Sequence, residues 1–232
     1  MSRPQIKIHT FRNSMPKEIS NTDVVLIDTH NFTTTAIEAL SNGAKEIIPL
    51  TSANGGIPSQ ITLLAGDNDY NIENHPKYMT KENVMNQIVG IDSWNGSPAV
   101  HDIRSRTVNN VNAYLGSLTN APSISCLLKN SDSITFVIAG SSGNNPPEDI
   151  LTVQCIVQCL YTDADNLKNI CSLYKQWYMM LVLDVYDALY EDKSKLGLFG
   201  RPNKHATEYA SQIGINTVVP KMNKNGGFER IN

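Results

Sequence analysis

The chain lacks the features that mark several large classes of protein. Its longest apolar run, YMMLVL, is far shorter than the about 20 residues of a membrane-spanning helix. The N-terminal residues MSRPQIKIHT contain no apolar core of the length found in secretion signals. Nineteen basic and 22 acidic residues leave a net charge of −3, and neither sign forms a long run. We therefore expect a soluble, cytoplasmic protein with neither a membrane nor a nucleic acid as its partner.

Cysteine is also scarce. The four cysteines (Cys126, Cys155, Cys159 and Cys171) lie in apolar, helix-like stretches and not in paired loop motifs. Cys155 and Cys159 are four residues apart and share a helix face, but no second Cys or His pair completes a zinc pattern. This usage predicts reduced thiols, buried as small apolar side chains.

What the chain does contain is an alternation of strand and helix patterns. Residues 24–27 (VVLI) form a continuous apolar run of the kind buried on both faces of a sheet. A helix beginning near Thr33 ends at Asn42-Gly43, and the strand KEIIPL follows, which predicts a βαβ unit. In the second half, a helix face is predicted over residues 100–111, a buried strand at SITFVIAG, and helices over residues 150–160 and beyond.

These elements predict one α/β domain over residues 1–232. No fixed-period repeat or low-complexity linker divides the chain, so a three-layer α/β/α fold with a largely parallel or mixed central sheet is the simplest architecture. Tyr174 and Trp177 recur at helical spacing in the long second-half helix, and we interpret them as core packing. Apolar helix faces fit either a buried core helix or a homo-oligomer, and both alternatives remain open.

Acidic, hydroxyl and glycine residues gather directly after the predicted strands. They are Asp28, Gly66 with Asp67, Asn95 with Gly96 and Ser97, and Ser141 with Ser142 and Gly143. The carboxyl ends of parallel strands open onto one crevice, so we expect these groups to converge. Hard oxygen ligands suit Mg²⁺, which takes one or two carboxylates and leaves its other positions to water and substrate phosphate. Glycine-exposed amides at helix starts would receive an anion.

The stretch IDTHNFTTTAIEAL is the sharpest case. We expect Asp28 to hold a divalent cation and the helix start at residues 33–35 to hold an anion beside it. Glu148 and Asp149 open a later helix, where acids commonly complement the helix dipole. Their convergence with Asp28 adds a second interpretation, in which they bind metal or orient a water.

A family resemblance runs through nearly the whole chain in order. Its motifs are VVLIDTHNFTTTAIEALSNGAKEIIPL, LLAGD, NHP, NGS, GSLTNA, AGSSGNNPPEDILTVQCIVQCL and HATEYASQIGINTVVPKM. Together they resemble the 2-phosphosulfolactate phosphatase family. The resemblance implies an α/β/α fold and a Mg²⁺-dependent acid phosphatase that acts on a small anionic phosphorylated substrate, phosphosulfolactate, in coenzyme M biosynthesis.

The resemblance also suggests roles for single residues. Asp28 matches the family acid after the second strand, Thr33 and Thr34 its threonine pair, and Asp67 stands where the family usually has glutamate. Asn74 with Pro76 matches an Asn-Ser-Pro element, Asn95, Gly96 and Ser97 an Asn-Gly-Thr loop, and Glu148 with Asp149 the acidic pair. On this basis Asp28 and Asp149 would be metal ligands, while Glu148 or Asp67 would orient or deprotonate the attacking species. Thr33, Thr34, Asn95, Gly96, Ser97, Ser141 and Ser142 would contact the substrate phosphate.

Three positions depart from the family pattern. Asn31 and Pro98 stand where the family has arginines, and Thr152 stands where it has a cysteine. Arginine binds anions through two parallel hydrogen bonds, which Lys or His replaces imperfectly. Two interpretations therefore remain: a phosphatase of a phosphorylated hydroxy acid, or a catalytically altered or inactive relative with an anion-binding or structural role. His30, His101, Arg104 and Arg201 are the candidates for replacing the lost positive charge.

Overall fold

The computed structural model describes residues 3–51, 56–66, 70–140, 146–191 and 204–231. These ranges contain nine strands and seven α-helices. The strands are β1 (Gln5–His9), β2 (Ile19–Ile27), β3 (Glu46–Leu50), β4 (Leu63–Ala65), β5 (Ile88–Asp92), β6 (Thr107–Gly116), β7 (Ser133–Ile138), β8 (Pro220–Met222) and β9 (Phe228–Arg230). The helices are α1 (Phe32–Ser41), α2 (Lys81–Val84), α3 (Gly96–Arg106), α4 (Ala121–Leu128), α5 (Pro147–Tyr161), α6 (Ala164–Glu191) and α7 (Lys204–Ala210).

The described strands form one mixed sheet with the order β1-β7-β2-β6-β8-β9-β3-β5-β4. The strands β1, β7, β2 and β6 pair in parallel, as do β3, β5 and β4. The short strands β8 and β9 join these two groups through antiparallel pairs. The turn between β8 and β9 contains Gly226 at a φ of 89°, a conformation that glycine adopts without steric cost.

Helices cover both faces of the sheet. Side chains alternate along β2, so Val24 and Leu26 face one core while Val25 and Ile27 face the other. The first core also receives buried side chains from α1 and α3, and the second receives them from α4, α5, α6 and α7. This arrangement confirms the predicted three-layer α/β/α fold with a mixed sheet.

One local prediction was wrong. The helix predicted over residues 100–111 ends at Arg106, and Thr107 begins β6, which pairs with β2 over most of its length. The apolar spacing in this segment fits both periods, and pairing with the central strand selects the extended form. The βαβ prediction did not fix the position of β3 in the sheet, and β3 does not lie beside β2. It pairs with β5 and β9, because β6 and the β8–β9 hairpin occupy the positions between them.

The thiols and aromatic residues fit the sequence interpretation in part. All four cysteines are free, and Cys155 and Cys159 are buried as predicted, whereas Cys126 is exposed. Tyr174 is buried, but Trp177 packs edge-on against it at 5.1 Å between ring centroids and remains 44% exposed. Within the described ranges, no helix is both long and apolar enough to cross a bilayer.

Candidate active site

Hydrogen bonds from the start of α1 fix the backbone of the loop after β2. The hydroxyl of Thr33 donates to the carbonyl oxygen of Asp28 over 2.9 Å, and the backbone N–H of Thr33 donates to the same oxygen over 3.0 Å. The hydroxyl of Thr34 donates to the carbonyl of Thr29 over 2.8 Å and also contacts the hydroxyl of Ser117. The threonine hydroxyls predicted to receive an anion are thus bonded to the loop itself.

The acidic pair at the start of α5 lies against this loop. The backbone N–H of Thr29 donates to Oδ1 of Asp149 over 2.8 Å. The hydroxyl of Thr152 donates to the carbonyl of Glu148 over 2.8 Å and lies 2.9 Å from the hydroxyl of Thr29. All five of these side chains, including Asp28, are buried. Tertiary packing therefore brings together three carboxylates from two separate segments, as the sequence predicted.

Burial and neighbouring carboxylates raise the pKa of two of these acids, Asp28 and Asp149. Burial and then the charges of Asp149 and Glu148 hold the pKa of Asp28 well above its ordinary value, while Ser93 and the backbone of Gly96 oppose this shift. Burial and then the charge of Glu148 raise the pKa of Asp149 to about 7. Among the described residues, no Lys or Arg contributes to these two shifts, so the acids would carry uncompensated negative charge when ionised, which a bound cation would offset.

The start of α3 approaches Asp28 from the other side. A Cβ at Gly96 would lie 2.4 Å from Cγ of Phe32 and 2.6 Å from Oδ2 of Asp28, so only glycine fits there. The Gly96 N–H donates to the hydroxyl of Ser93 over 3.2 Å. The Ser97 hydroxyl donates to the carbonyl of Ile91 over 2.8 Å and so serves the end of β5. Of the predicted Asn95–Ser97 loop, Gly96 is the residue in contact with the acid.

Several residues of this site were not predicted from the sequence. Thr29 lies within the IDTHNFTTTAIEAL stretch but was assigned no role, and Ser93 and Tyr178 belong to no motif. Each joins the site through contacts with residues distant in the chain. Tyr178 hydrogen-bonds Nε2 of His30, and Nδ1 of His30 lies 3.7 Å from Oε1 of Glu148. Burial lowers the pKa of His30 to about 4, so its imidazole is neutral near pH 7 and does not replace a lost arginine.

Five predicted residues cannot be placed. Asp67, Ser141, Ser142, Gly143 and Arg201 lie outside the described residues. Asn95 is half-buried at the N-terminal cap of α3. Asn74 and Pro76 are buried beside a short 3₁₀ helix, where the side chain of His75 accepts a hydrogen bond from the N–H of Lys77.

The buried acids fit the chemistry of a Mg²⁺ site. Oδ2 of Asp28 has no hydrogen-bond partner among the described residues, and the nearby acids offer further hard oxygen atoms. Within the described ranges, no group of three His, Cys, Asp or Glu side chains is arranged to hold a metal ion. Mg²⁺ commonly uses only one or two carboxylates and keeps several waters. Asp28 and Asp149 are the residues that would hold it.

A separate pocket of about 340 Å³ lies between α3 and β3. Ser97, His101 and Arg104 line it from the helix, and Glu46 and Thr51 line it from the strand side. The guanidinium of Arg104 packs against the backbone of Gly226, where a Cβ would lie 2.9 Å from Nη1. None of the three clustered acids lines this pocket, so Arg104 and His101 serve a different surface from Asp28.

Comparison with known sequences decides the family. Residues 8–225 match the sequence pattern of the family described as 2-phosphosulpholactate phosphatase. The chain belongs to this family. The match extends from β1 to the turn that follows β8, so it includes all of the acidic cluster.

Three relatives share this family name, each called a probable 2-phosphosulfolactate phosphatase. The protein of Caldanaerobacter subterraneus subsp. tengcongensis is 27% identical over 169 residues, which cover 67% of this chain and 68% of that protein. The protein of Thermotoga maritima is 28% identical over 144 residues, covering 59% and 61%. The protein of Clostridium novyi is 23% identical over 223 residues, covering 89% and 91%. The family relationship is therefore broad in coverage and low in identity.

The three departures from the phosphosulfolactate phosphatase pattern now have structural positions. Asn31 caps the start of α1, and its carbonyl accepts the N–H of Thr35 over 2.9 Å. Pro98 lies in the first turn of α3, where its missing N–H removes no helical hydrogen bond. Thr152 joins Glu148 to Thr29 through its hydroxyl. Each replacement fits its local backbone, but neither Asn31 nor Pro98 provides positive charge.

Proposed function

We propose that this protein is a Mg²⁺-dependent phosphatase of a phosphorylated hydroxy acid, with 2-phosphosulfolactate as the substrate its family membership suggests. The observation that carries the proposal is the buried cluster of Asp28, Glu148 and Asp149 at the junction of β2, α1 and α5. A cluster of like charges costs free energy unless a cation joins it or protons neutralise it. A metal-dependent phosphatase uses such a cation to neutralise charge on the phosphoryl group.

In this proposal each acid has its own task. Asp28 and Asp149 would hold the ion, and their positions are set by Thr33 and by the N–H of Thr29. The ion would supply positive charge that neutralises and polarises the phosphoryl oxygens. Glu148 accepts a proton from the attacking water as the new oxygen–phosphorus bond forms. That proton returns to the ester oxygen as its bond to phosphorus breaks, so the carboxylate is regenerated.

The test is phosphate release with and without Mg²⁺ from a panel of phosphorylated hydroxy acids that includes phosphosulfolactate. We expect Mg²⁺-dependent turnover that Asp28→Asn reduces at least a hundredfold, a loss typical of a removed electrostatic group. Asp132→Asn is the matched control, because Asp132 is an exposed loop acid distant in sequence from the cluster. Turnover of phosphosulfolactate would show that Asn31 and Pro98 are compatible with the family reaction, whereas turnover of a less anionic ester alone would indicate a changed substrate.

A second candidate is a relative that binds small anions without turnover. The observation favouring it is the pocket beside α3, which places Arg104 and His101 together, whereas no Lys or Arg of the described residues shifts the pKa of Asp28. In that case the whole panel would give no phosphate from folded protein. Lactate or inorganic phosphate would then bind in calorimetry, and Arg104→Met would abolish the binding. Turnover of any panel member with Asp28 dependence would exclude this alternative.

A further inference from the structure

Three side chains from distant parts of the chain, Tyr178, His30 and Glu148, contact one another in series and end at the acidic cluster. We call this series the hydrogen-bond line. Tyr178 of α6 hydrogen-bonds Nε2 of His30 in the loop after β2, and Nδ1 of His30 lies 3.7 Å from Oε1 of Glu148 at the start of α5. Tyr178 is fully buried, and the side chains of His30 and Glu148 are only 12% and 10% exposed. The three polar groups therefore meet one another with little competition from water.

Hydrogen-bonding rules set the direction of this line. A carboxylate can only accept a hydrogen bond, so the ring nitrogen that faces it must carry a proton. The proton of His30 therefore belongs on Nδ1, which faces Glu148, and Nε2 accepts from the hydroxyl of Tyr178. The partner of one ring nitrogen selects the tautomer of the other. Tyr178 thus keeps the N–H of His30 directed at Glu148.

The distance to Glu148 is informative as well. At 3.7 Å, Nδ1 of His30 is within ion-pair range of Oε1 but beyond an ordinary hydrogen bond. Hydrogen bonds to catalytic groups are often long without substrate and shorten when it binds. The His30 ring meets the Tyr178 ring edge-on, with centroids 6.0 Å apart, so its orientation is already restricted by packing.

We propose that Tyr178 and His30 are positioning residues that hold Glu148 as the proton acceptor of the phosphatase reaction, an inference that rests on the function proposed above. Tyr178 donates to Nε2 of His30, and Nδ1–H of His30 faces Oε1 of Glu148, to which it donates once substrate binding shortens the 3.7 Å separation. The Nδ1–H of His30 thereby fixes the orientation of the Glu148 carboxylate. The long helix α6, which bears no acidic site residue of its own in the described ranges, becomes part of the site's support.

The first test compares two identical substitutions on one helix. Tyr178→Phe removes the hydroxyl that bonds His30, whereas Tyr174→Phe changes a buried tyrosine one turn earlier that packs against Trp177. We expect Tyr178→Phe to lower kcat by up to about a hundredfold with KM within about twofold, because a misplaced catalytic group costs that much. Tyr174→Phe leaves kcat unchanged. Equal effects of the two substitutions would overturn the proposal.

The second test replaces His30 itself. His30→Gln keeps one donor and one acceptor at the end of the side chain, while His30→Leu keeps neither. If the ring acts by positioning Glu148, His30→Gln retains several times more activity than His30→Leu at similar thermal stability. Equal loss in both variants would count against a hydrogen-bonding role.

The third test does not depend on activity. ¹⁵N NMR of the imidazoles, with the His30 signals assigned by their loss in His30→Gln, should show a neutral ring protonated on Nδ1. Tyr178→Phe should shift it toward protonation on Nε2. A wild-type ring protonated on Nε2 would refute the hydrogen-bond line directly. The Nδ1 form in a protein without turnover on the whole panel would instead remove the proposed function and with it the catalytic role, while the line itself would stand.

Discussion

Replacing Asp149 by Asn should change the dependence of stability on pH in a defined direction. The pKa of Asp149 lies at about 7 in the folded protein, against an ordinary value of 3.8, because burial and then Glu148 disfavour its charge. An acid of this kind binds its proton more tightly when folded. Its contribution to stability is complete below pH 3.8 and is lost as the pH rises to about 7.

The size of this effect follows from the same numbers. Each pH unit between two pKa values corresponds to about 1.4 kcal/mol. The interval from 3.8 to about 7 therefore corresponds to a loss of at most about 4 kcal/mol in the free energy of unfolding between acid and neutral pH. Asn is neutral at every pH, and its side-chain oxygen can still accept the hydrogen bond from the N–H of Thr29.

His30 opposes this effect in the wild type. Its pKa falls from 6.5 to about 4 on burial, so its contribution is present above pH 6.5 and is lost as the pH falls toward 4. Between pH 4 and 6.5 the slopes due to His30 and Asp149 have opposite signs, and their sum is small. Asp28, whose pKa is also raised, adds a slope of the same sign as that of Asp149. The wild-type curve alone therefore isolates no single group, which is why the variants must be compared.

The assay is urea unfolding of metal-free protein at intervals from pH 4 to 8. We expect Asp149→Asn to become more stable relative to the wild type as the pH rises, by up to about 4 kcal/mol, and then to level off above pH 7. Asp132→Asn, in an exposed loop, should give a constant difference. The reasoning would be refuted if the free energy of unfolding of Asp149→Asn differed from that of the wild type by the same amount at every pH, or if Asp149→Asn gained stability relative to the wild type toward acid pH. Added Mg²⁺ should stabilise the wild type more at pH 8 than at pH 5, because the ion binds ionised carboxylates.

Three further predictions concern single contacts. Thr152→Val should destabilise the protein by about 1–3 kcal/mol in urea unfolding, because it leaves the buried Thr29 hydroxyl without its Thr152 partner. The control is Thr162→Val, at the partly exposed end of the same helix, which should destabilise the protein clearly less. Gly96→Ala should cost about 1–3 kcal/mol in thermal unfolding and weaken Mg²⁺ binding measured by calorimetry, since its Cβ would overlap Phe32 and Oδ2 of Asp28. Alkylation of native protein followed by mass spectrometry should label the exposed Cys126 well before the buried Cys155 and Cys159, and equal rates would contradict the described packing.

The layered fold could be inferred from local patterns, and the structure shows why. The run VVLI is apolar at every position because β2 is central, so Val24 and Val25 point into different cores. The acids of the cluster were also recognisable, because carboxylates after buried strands and at helix starts occupy predictable positions. The segment after Arg106 was not, because its residues suit a helix face as well as a strand.

The amino-acid sequence by itself determined the chemical character of this protein: which segments are apolar enough to be buried, and which carry oxygen ligands at their ends. Only the tertiary structure decided which of those ligands meet. It brought Asp149 to the N–H of Thr29, turned the hydroxyl of Ser97 inward, and placed Tyr178 against His30. The physical reason is that local periodicity depends on neighbouring residues, whereas these contacts join segments separated by many residues and exist only once two cores have packed against one sheet.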